Sequence, residues 1–285
     1  MRVVEELFLG GKKPKKEHPI TRLHRDIATS IGTNSLRLYQ GDIDILEYHH
    51  ENVKTAIKAL ERLEKVDPDK LRDKELVSAT LSSIFSLAHN PFNVHLARLG
   101  EVLSRIPGTE SDAVITLSKA INSVYEELQE DNGRLRSPEH VKLAAKGLVK
   151  TELEAIKGGV PDEHLKDYIT FLEKFSEIYQ RLVPYEKINN EKDILYHNLF
   201  ILFHELHALN VILARNRIPQ KAHPFVYHHT VSVMNKLARA IQLIKDHAAR
   251  EPDTRKKMVL EKVARVLTDR YQQIPELLRK KLKVA

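Results

Sequence analysis

Apolar residues recur at helical spacing along almost the whole chain, and no convincing run alternates apolar with polar residues. The pattern therefore predicts an all-α protein of about ten helices. The stripe Ile20, Leu23, Ile27, Ile31, Leu36 and Leu38 predicts a helix over 18–40, punctuated by Gly41-Asp42. Ile45, Tyr48, Val53, Ile57, Leu60 and Leu63 predict the next over 43–65. Val66-Asp67-Pro68-Asp69 then reads as a turn, because Pro presets φ and Asp caps the next element.

A third helix is predicted over 73–89, with Asn90-Pro91 restarting the chain as cap and first-turn proline for a fourth that reaches Ile106. Thr109 and Asp112 resemble a capping box opening a fifth, which Asp131-Asn132-Gly133 closes. Ser137-Pro138-Glu139 opens a sixth that Gly158-Gly159 ends, and a seventh covers 161–182. The segment 184–192, with Asn189-Asn190, is the most plausible boundary. Beyond it the pattern predicts helices over 191–214 and 225–250, joined by a basic loop over 215–224. A last helix starts near Glu251-Pro252, with the stripe Val259, Val263, Val266, Leu267, Tyr271 and Ile274. Pro275 should kink or end it.

The expected organisation is a basic flexible arm over 1–17, an antiparallel helical bundle over 18–183 and a three-helix C-terminal unit over 190–285. Two helix–glycine–helix hairpins echo one another, around Gly41 and around Gly158-Gly159. With two copies and no fixed period they indicate a bundle rather than a solenoid.

Composition sharpens this picture at a few points. At 285 residues with 42% apolar and 30% charged residues, the chain has material for a sizeable core, which speaks against intrinsic disorder. The absence of Cys excludes disulfides, thiolate zinc sites, iron–sulfur clusters and a Cys nucleophile. No glycine-rich phosphate loop, Ser-His-Asp arrangement or nucleophile elbow appears. The apolar run 198–203 is far shorter than the ~20 residues of a membrane span. No targeting signal is visible, so the expectation is a cytoplasmic protein without membrane contact.

The formal charge of +7 is uneven. Residues 1–26 carry net +3 and residues 250–285 net +6, whereas 27–249 carry net −2. Basic ends on a near-neutral body suit contact with a polyanion, and they equally suit mere solubility. Lys12, Lys13, Lys15 and Lys16 form a basic arm beside Gly10-Gly11. In the loop, Arg215, Arg217, Lys221 and His223 lie within nine residues with no acid between them. Such groups contact phosphates and set register without reading sequence, although an exposed, solvated connection would have the same composition. If the C-terminal helices fold up-down-up, this loop lies at the same end as Lys280 and Lys281. The residues expected to bind nucleic acid are thus Lys12, Lys13, Lys15, Lys16, Arg215, Arg217, Lys221, Lys280 and Lys281.

Histidine is frequent, 15 in all. His197, His204 and His207 share a helix, with His228-His229 on the next, and three imidazoles from this set could converge on Zn²⁺. The alternative is a helix face of half-buried histidines, and His204-Glu205-Leu206-His207 is one residue short of the metalloprotease spacing. Glu47-x-x-His50 is a single copy of a motif that di-iron bundles use in duplicate, and alone it reads as chance.

Three pieces in order carry a family resemblance. Arg22-Leu23-His24-Arg25-Asp26-Ile27 leads to Leu38-Tyr39-Gln40-Gly41-Asp42. Val124-Tyr125-Glu126-Glu127-Leu128 precedes Gly133-Arg134-Leu135-Arg136-Ser137-Pro138-Glu139. Lys146-Gly147-Leu148-Val149-Lys150-Thr151-Glu152-Leu153 comes next, and 168–182 forms the last helix. In order and spacing, residues 20–183 resemble the translin/TRAX family of all-α nucleic-acid-binding proteins. The family's catalytic members bind Mg²⁺ through acidic residues on these helices. Here Val124 replaces the first Glu of the Glu-Tyr pair, and the Asp of the Gly-Leu helix has no counterpart. Only Glu127 and Glu152 fall on matching positions, and residues 190–285 have no place in the pattern. The resemblance implies binding of RNA or single-stranded DNA more than cleavage. A Mg²⁺-dependent ribonuclease ranks third, behind a helical protein–protein or homo-oligomeric scaffold resting on the last helix. No other cofactor is expected.

Overall fold

The computed structural model describes residues 1–10, 17–103, 162–182 and 191–282. Those residues are helical, without a strand among them. Eight α-helices stand among them: α1 (Arg2–Phe8), α2 (Pro19–Gln40), α3 (Ile45–Glu64), α4 (Lys74–Leu103), α5 (Asp162–Leu182), α6 (Glu191–Leu213), α7 (His223–Arg250) and α8 (Thr254–Leu282). Short 3₁₀ turns occupy Pro68–Leu71 and Gln220–Ala222.

The difference from ten has three sources. The expected helices within 109–158 fall outside the described residues. One helix, α1, lies where a flexible arm is expected. A single helix, α4, replaces the third and fourth, because its backbone stays helical through Asn90-Pro91. A proline inside a helix removes one backbone donor, at a cost of about 3 kcal/mol. Here the preceding turns are held by Leu81, Ile84, Phe85, Leu87 and Ala88, all buried. Pro275 behaves likewise: α8 runs through it to Leu282, anchored by buried Ile274 and Leu282 on either side.

Aspartates cap the helix starts. Asp44 accepts from the Glu47 amide at 2.8 Å, and Asp73 from the Leu76 amide at 3.0 Å. Asp67 accepts from the Asp69 amide at 3.1 Å, which starts the first 3₁₀ turn with Pro68 in its first position. Asp253 accepts from the amides of Arg255 and Lys256 and so opens α8.

The chain divides into two compact units, each described by itself. The first joins residues 1–40 to 190–285 and the second comprises 41–189, so α2 groups with the C-terminal helices rather than with the segment that succeeds it. In the first unit α2 runs alongside α6 in the same direction, with His24 at His204, Thr29 at His207 and Gly32 at Val211. Helices α6, α7 and α8 succeed one another through short connections. Its core is built from Ile20, Leu23 and Ile27, from Leu199, Phe200 and Ile212, and from Val226, Val233, Leu237, Val263 and Leu267. Helix α1 buries Val3, Val4 and Leu7, so residues 2–8 of the expected flexible arm are helical and packed.

In the second unit α3 and α4 form a hairpin in which His49 Nε2 donates to the Ala88 carbonyl at 2.7 Å. Helix α5 lies along α3 in the same direction, so that Glu47 faces His164, His50 faces Asp167 and Glu64 faces Arg181. An aromatic ladder of Tyr168, Phe171, Phe175 and Tyr179 on α5 packs with Phe85 of α4, whose ring centroid lies 5.1 Å from that of Phe175.

Candidate functional site

The basic loop of the first unit is pinned rather than loose. The Arg215 amide donates to the Ile212 carbonyl at 3.2 Å as α6 ends. Ile218 is buried, and its carbonyl accepts from His223 Nε2 at 3.1 Å. Ala222 is buried in the 3₁₀ turn. With the apolar residues turned inward, Arg215, Arg217 and Lys221 are left exposed. Lys281 Nζ donates to the Arg215 carbonyl at 3.0 Å, across 66 residues of sequence, so the last turn of α8 meets the loop. Arg279 and Lys280 stand beside it on α8, with Glu276 paired to Lys280 at 2.8 Å. That salt bridge holds the Glu276 carboxyl below the usual range. Lys12, Lys13, Lys15, Lys16, Glu127 and Glu152 lie outside the described residues.

The histidines of this unit take separate partners. His24 Nδ1 and His204 Nε2 are 2.9 Å apart, both buried, with the His24 ring stacked on Phe200 at 3.9 Å. One ring donates and the other accepts, so the pair is satisfied when both are neutral. Burial pushes His24 well below its ordinary pKa, and His204 beside it adds to this. Burial, and then His197 and His207, push His204 down to about 3. His207 Nε2 meets Thr29 Oγ1 at 3.2 Å. His229 Nδ1 meets Tyr39 Oη at 2.8 Å, and burial holds it down to about 4. His228 is exposed and His197 half-buried. No metal-holding arrangement among the described residues includes any of His197, His204, His207, His228 or His229.

The second unit brings together a cluster that the spacing on one helix did not reveal. Glu47 and His50 sit one turn apart on α3, and Glu163, His164 and Asp167 occupy the matching turn of α5. His50 Nε2 lies 2.8 Å from Asp167 Oδ2. Glu47 Oε2 lies 3.4 Å from His164 Nε2 and 3.8 Å from His50 Nδ1. The two imidazoles stack at 3.9 Å with 27° between their planes. His50 is 2% exposed and His164 10%, whereas Glu47 is 37% exposed and opens the cluster to solvent. Burial lowers the His164 pKa, and the neighbouring His50 lowers it further, against the pull of Glu47 and Asp44. His164-x-x-Asp167 repeats the i, i+3 spacing of Glu47-x-x-His50, so the second half of the signal was present in the sequence.

Among the described residues no helix is long and apolar enough to cross a membrane. Comparison with protein-family models, with curated proteins and with solved structures finds no match for this chain.

Proposed function

We propose that the protein binds RNA or single-stranded DNA without sequence specificity, through the basic end of its first unit. The observation that carries this reading is the hydrogen bond from Lys281 to the Arg215 carbonyl. It joins the loop that carries Arg215, Arg217 and Lys221 to the last turns of α8, which carry Arg279, Lys280 and Lys281 with Glu276 their one carboxylate. Concentrating like charge in this way raises the free energy of the isolated protein, and a phosphate backbone would relieve it. Arg and Lys on a pinned loop would hold phosphates while leaving the bases unread. The translin/TRAX resemblance of residues 20–183 agrees with this reading.

Fluorescence anisotropy with a labelled single strand tests it. Binding should be tight at low salt and collapse between ~50 and ~200 mM salt. Replacing Arg215, Arg217 and Lys221 together by Ala should weaken it and flatten the salt slope by about one unit per lost phosphate contact. No binding at low salt, or an unchanged slope in the triple variant, would overturn the reading.

A second reading, a homo-oligomeric or helical-partner surface on α8, is favoured by exposed Tyr271 and Leu277. Leu277 also lines a groove with Leu206, Leu209 and Leu213 of α6. Deleting 251–285 would not test it, because Val259, Leu260, Val263 and Leu267 belong to the core. Leu277→Lys leaves that core intact. A smaller particle on a sizing column, with nucleic-acid affinity unchanged, would favour the oligomer.

A further inference from the structure

We propose that Glu47, His50 and His164 form a three-ligand site for a divalent first-row transition-metal ion of the zinc class, with Asp167 orienting His50 from behind. Nothing in this inference depends on nucleic-acid binding, and the site lies wholly within the second unit.

The unpartnered, buried ring nitrogen of His50 points to a cation. An ionised Asp167 can only accept, so at 2.8 Å the proton of the neutral His50 ring sits on Nε2. Nδ1 then carries a lone pair. That atom is buried without a hydrogen-bond partner, and the nearest carboxylate oxygen, Glu47 Oε2, is itself an acceptor at 3.8 Å. The other imidazole adds no donor to Nδ1, and its own Nδ1 is also buried without a partner. Buried polar atoms in native proteins are ordinarily satisfied, and two acceptors facing one another repel. A metal ion between His50 Nδ1 and Glu47 Oε2 pairs that nitrogen and removes the repulsion, while His164, ligating through Nε2, keeps its ring proton on Nδ1. The alternative is a proton on His50 Nδ1, making an imidazolium between Glu47 and Asp167. That cation would lie against the face of the second imidazole at 3.9 Å, and the metal titration below separates the two cases.

The distances fit the same conclusion. At 3.4 and 3.8 Å the Glu47 contacts are long for hydrogen bonds. Two ligand atoms each ~2.0–2.1 Å from one tetrahedral ion lie about 3.4 Å apart, close to the spacing of these atoms, and the two rings must open from their 3.9 Å stack for both lone pairs to reach the ion. Asp167 is the carboxylate that zinc-binding histidines commonly engage through their second nitrogen, fixing tautomer and ring plane. This choice also sets the ligand side of His50. Glu163 and Asp167 flank Nε2, which the hydrogen bond occupies, so the ion belongs at Nδ1.

The donor set selects the ion. Two imidazoles and one carboxylate, with no thiolate in the chain, suit Zn²⁺, Co²⁺ or Fe²⁺ rather than Mg²⁺ or Ca²⁺, which take oxygen. Three protein ligands leave a fourth position open, and half-exposed Glu47 places it toward solvent. The platform is firm. Asp44 caps α3 beside the site, and Lys174–Glu61 and Arg181–Glu64 tie α5 to α3 farther along.

Full-length, tag-free protein stripped with a chelator would be titrated with Co²⁺, reading visible absorption, and then with Zn²⁺ in competition. One Co²⁺ per chain should give ligand-field bands that Zn²⁺ abolishes and Mg²⁺ does not. Glu47→Gln and His164→Asn should each remove the bands while circular dichroism stays helical. Asp167→Asn, at a positioning residue, should weaken affinity about 10- to 100-fold without removing the bands. If His164→Asn unfolds, the half-exposed Glu47→Gln variant decides alone. Absence of bands in the wild-type protein, or bands of equal strength in Glu47→Gln, would overturn the proposal, the latter assigning the metal to other histidines. Either result leaves the salt-dependent binding test untouched.

Discussion

His24 and His204 face each other across 180 residues of sequence with ring nitrogens 2.9 Å apart, and both are buried in the first unit. The pair is satisfied when both rings are neutral. Protonating either ring buries a charge away from water, and on His24 that charge lies against the face of Phe200.

Stability should therefore fall as the solution is acidified. Unfolded histidine takes up a proton near pH 6.5. Folded His204 resists until about 3, folded His229 until about 4, and His24 is likewise lowered. Below pH ~6.5 the unfolded chain binds more protons than the folded one, so stability is lost with falling pH. Each resisting imidazole contributes up to about 1.4 kcal/mol per pH unit. A thermal unfolding midpoint that drops steadily from pH 7 to pH 5 is expected, and a flat profile would contradict the assignment of neutral buried histidines. Replacing His24 by Phe and His204 by Leu together should flatten the slope.

Gly32 should not tolerate a side chain. A Cβ there would lie 2.9 Å from Val211 Cβ and 3.1 Å from Ala208 Cα, which is inside contact distance. Alanine gains up to about 1 kcal/mol of helix propensity over glycine, but overpacking of this kind costs about 1–3 kcal/mol. Gly32→Ala should lower the denaturant midpoint, and adding Val211→Gly, which removes the Cβ at 2.9 Å, should restore part of the loss. A rise in the midpoint for Gly32→Ala alone would show that α2 and α6 separate easily.

Glu6 fastens α1. Its Oε2 accepts from Thr21 Oγ1 at 2.6 Å and from the His18 amide at 3.1 Å, while Arg25 donates to its carbonyl at 2.9 Å. Burial works to raise its pKa, but the bonds from Thr21, Arg2 and His18 outweigh that and hold it below the usual range. Glu6→Ala leaves those donors unpaired, at a cost of about 1–3 kcal/mol. Hydrogen exchange of the α1 amides should accelerate strongly in this variant. Unchanged exchange would mean that Val3, Val4 and Leu7 hold the helix unaided.

Phe175 is the centre of the second unit's aromatic ladder, fully buried and within 6 Å of the rings of Phe85, Phe171 and Tyr179. Phe175→Ala should destabilise that unit by about 3–5 kcal/mol, and Phe175→Leu should recover much of the loss. Equal chemical denaturation curves for wild type and Phe175→Ala would place the core elsewhere.

Much of the local structure was legible in the sequence. Asp67 stands before its element because a carboxylate satisfies amides that a helix start leaves free, whereas Asp44 and Asp73 fall within the expected helices and emerge as caps only in the structure. Neither interior proline ends its helix, since a proline reports a lost donor and not whether buried neighbours make the loss tolerable. Pairing was harder still. Periodicity shows which face of α3 is buried but not which helix covers it, and α5 lies 117 residues away. For that reason Glu47-x-x-His50 reads as chance until His164 and Asp167 stand opposite. The short step from α6 through its loop to α7 and α8 was an easier problem, and Lys281 does reach Arg215.

The grouping of residues 1–40 with 190–285 has a consequence in time. Ile20, Leu23 and Ile27 of α2 leave the ribosome early, yet the helix that covers them is encoded beyond position 190. At about 5–20 residues per second the intervening segment takes roughly 7–30 s to make. Throughout that interval the apolar stripe of α2 has α1 beside it but lacks the helix that covers it, a long exposure on the scale of collapse and aggregation. Nascent chains halted before α6 should therefore be clients for a chaperone that holds apolar helices, and those halted after it should not.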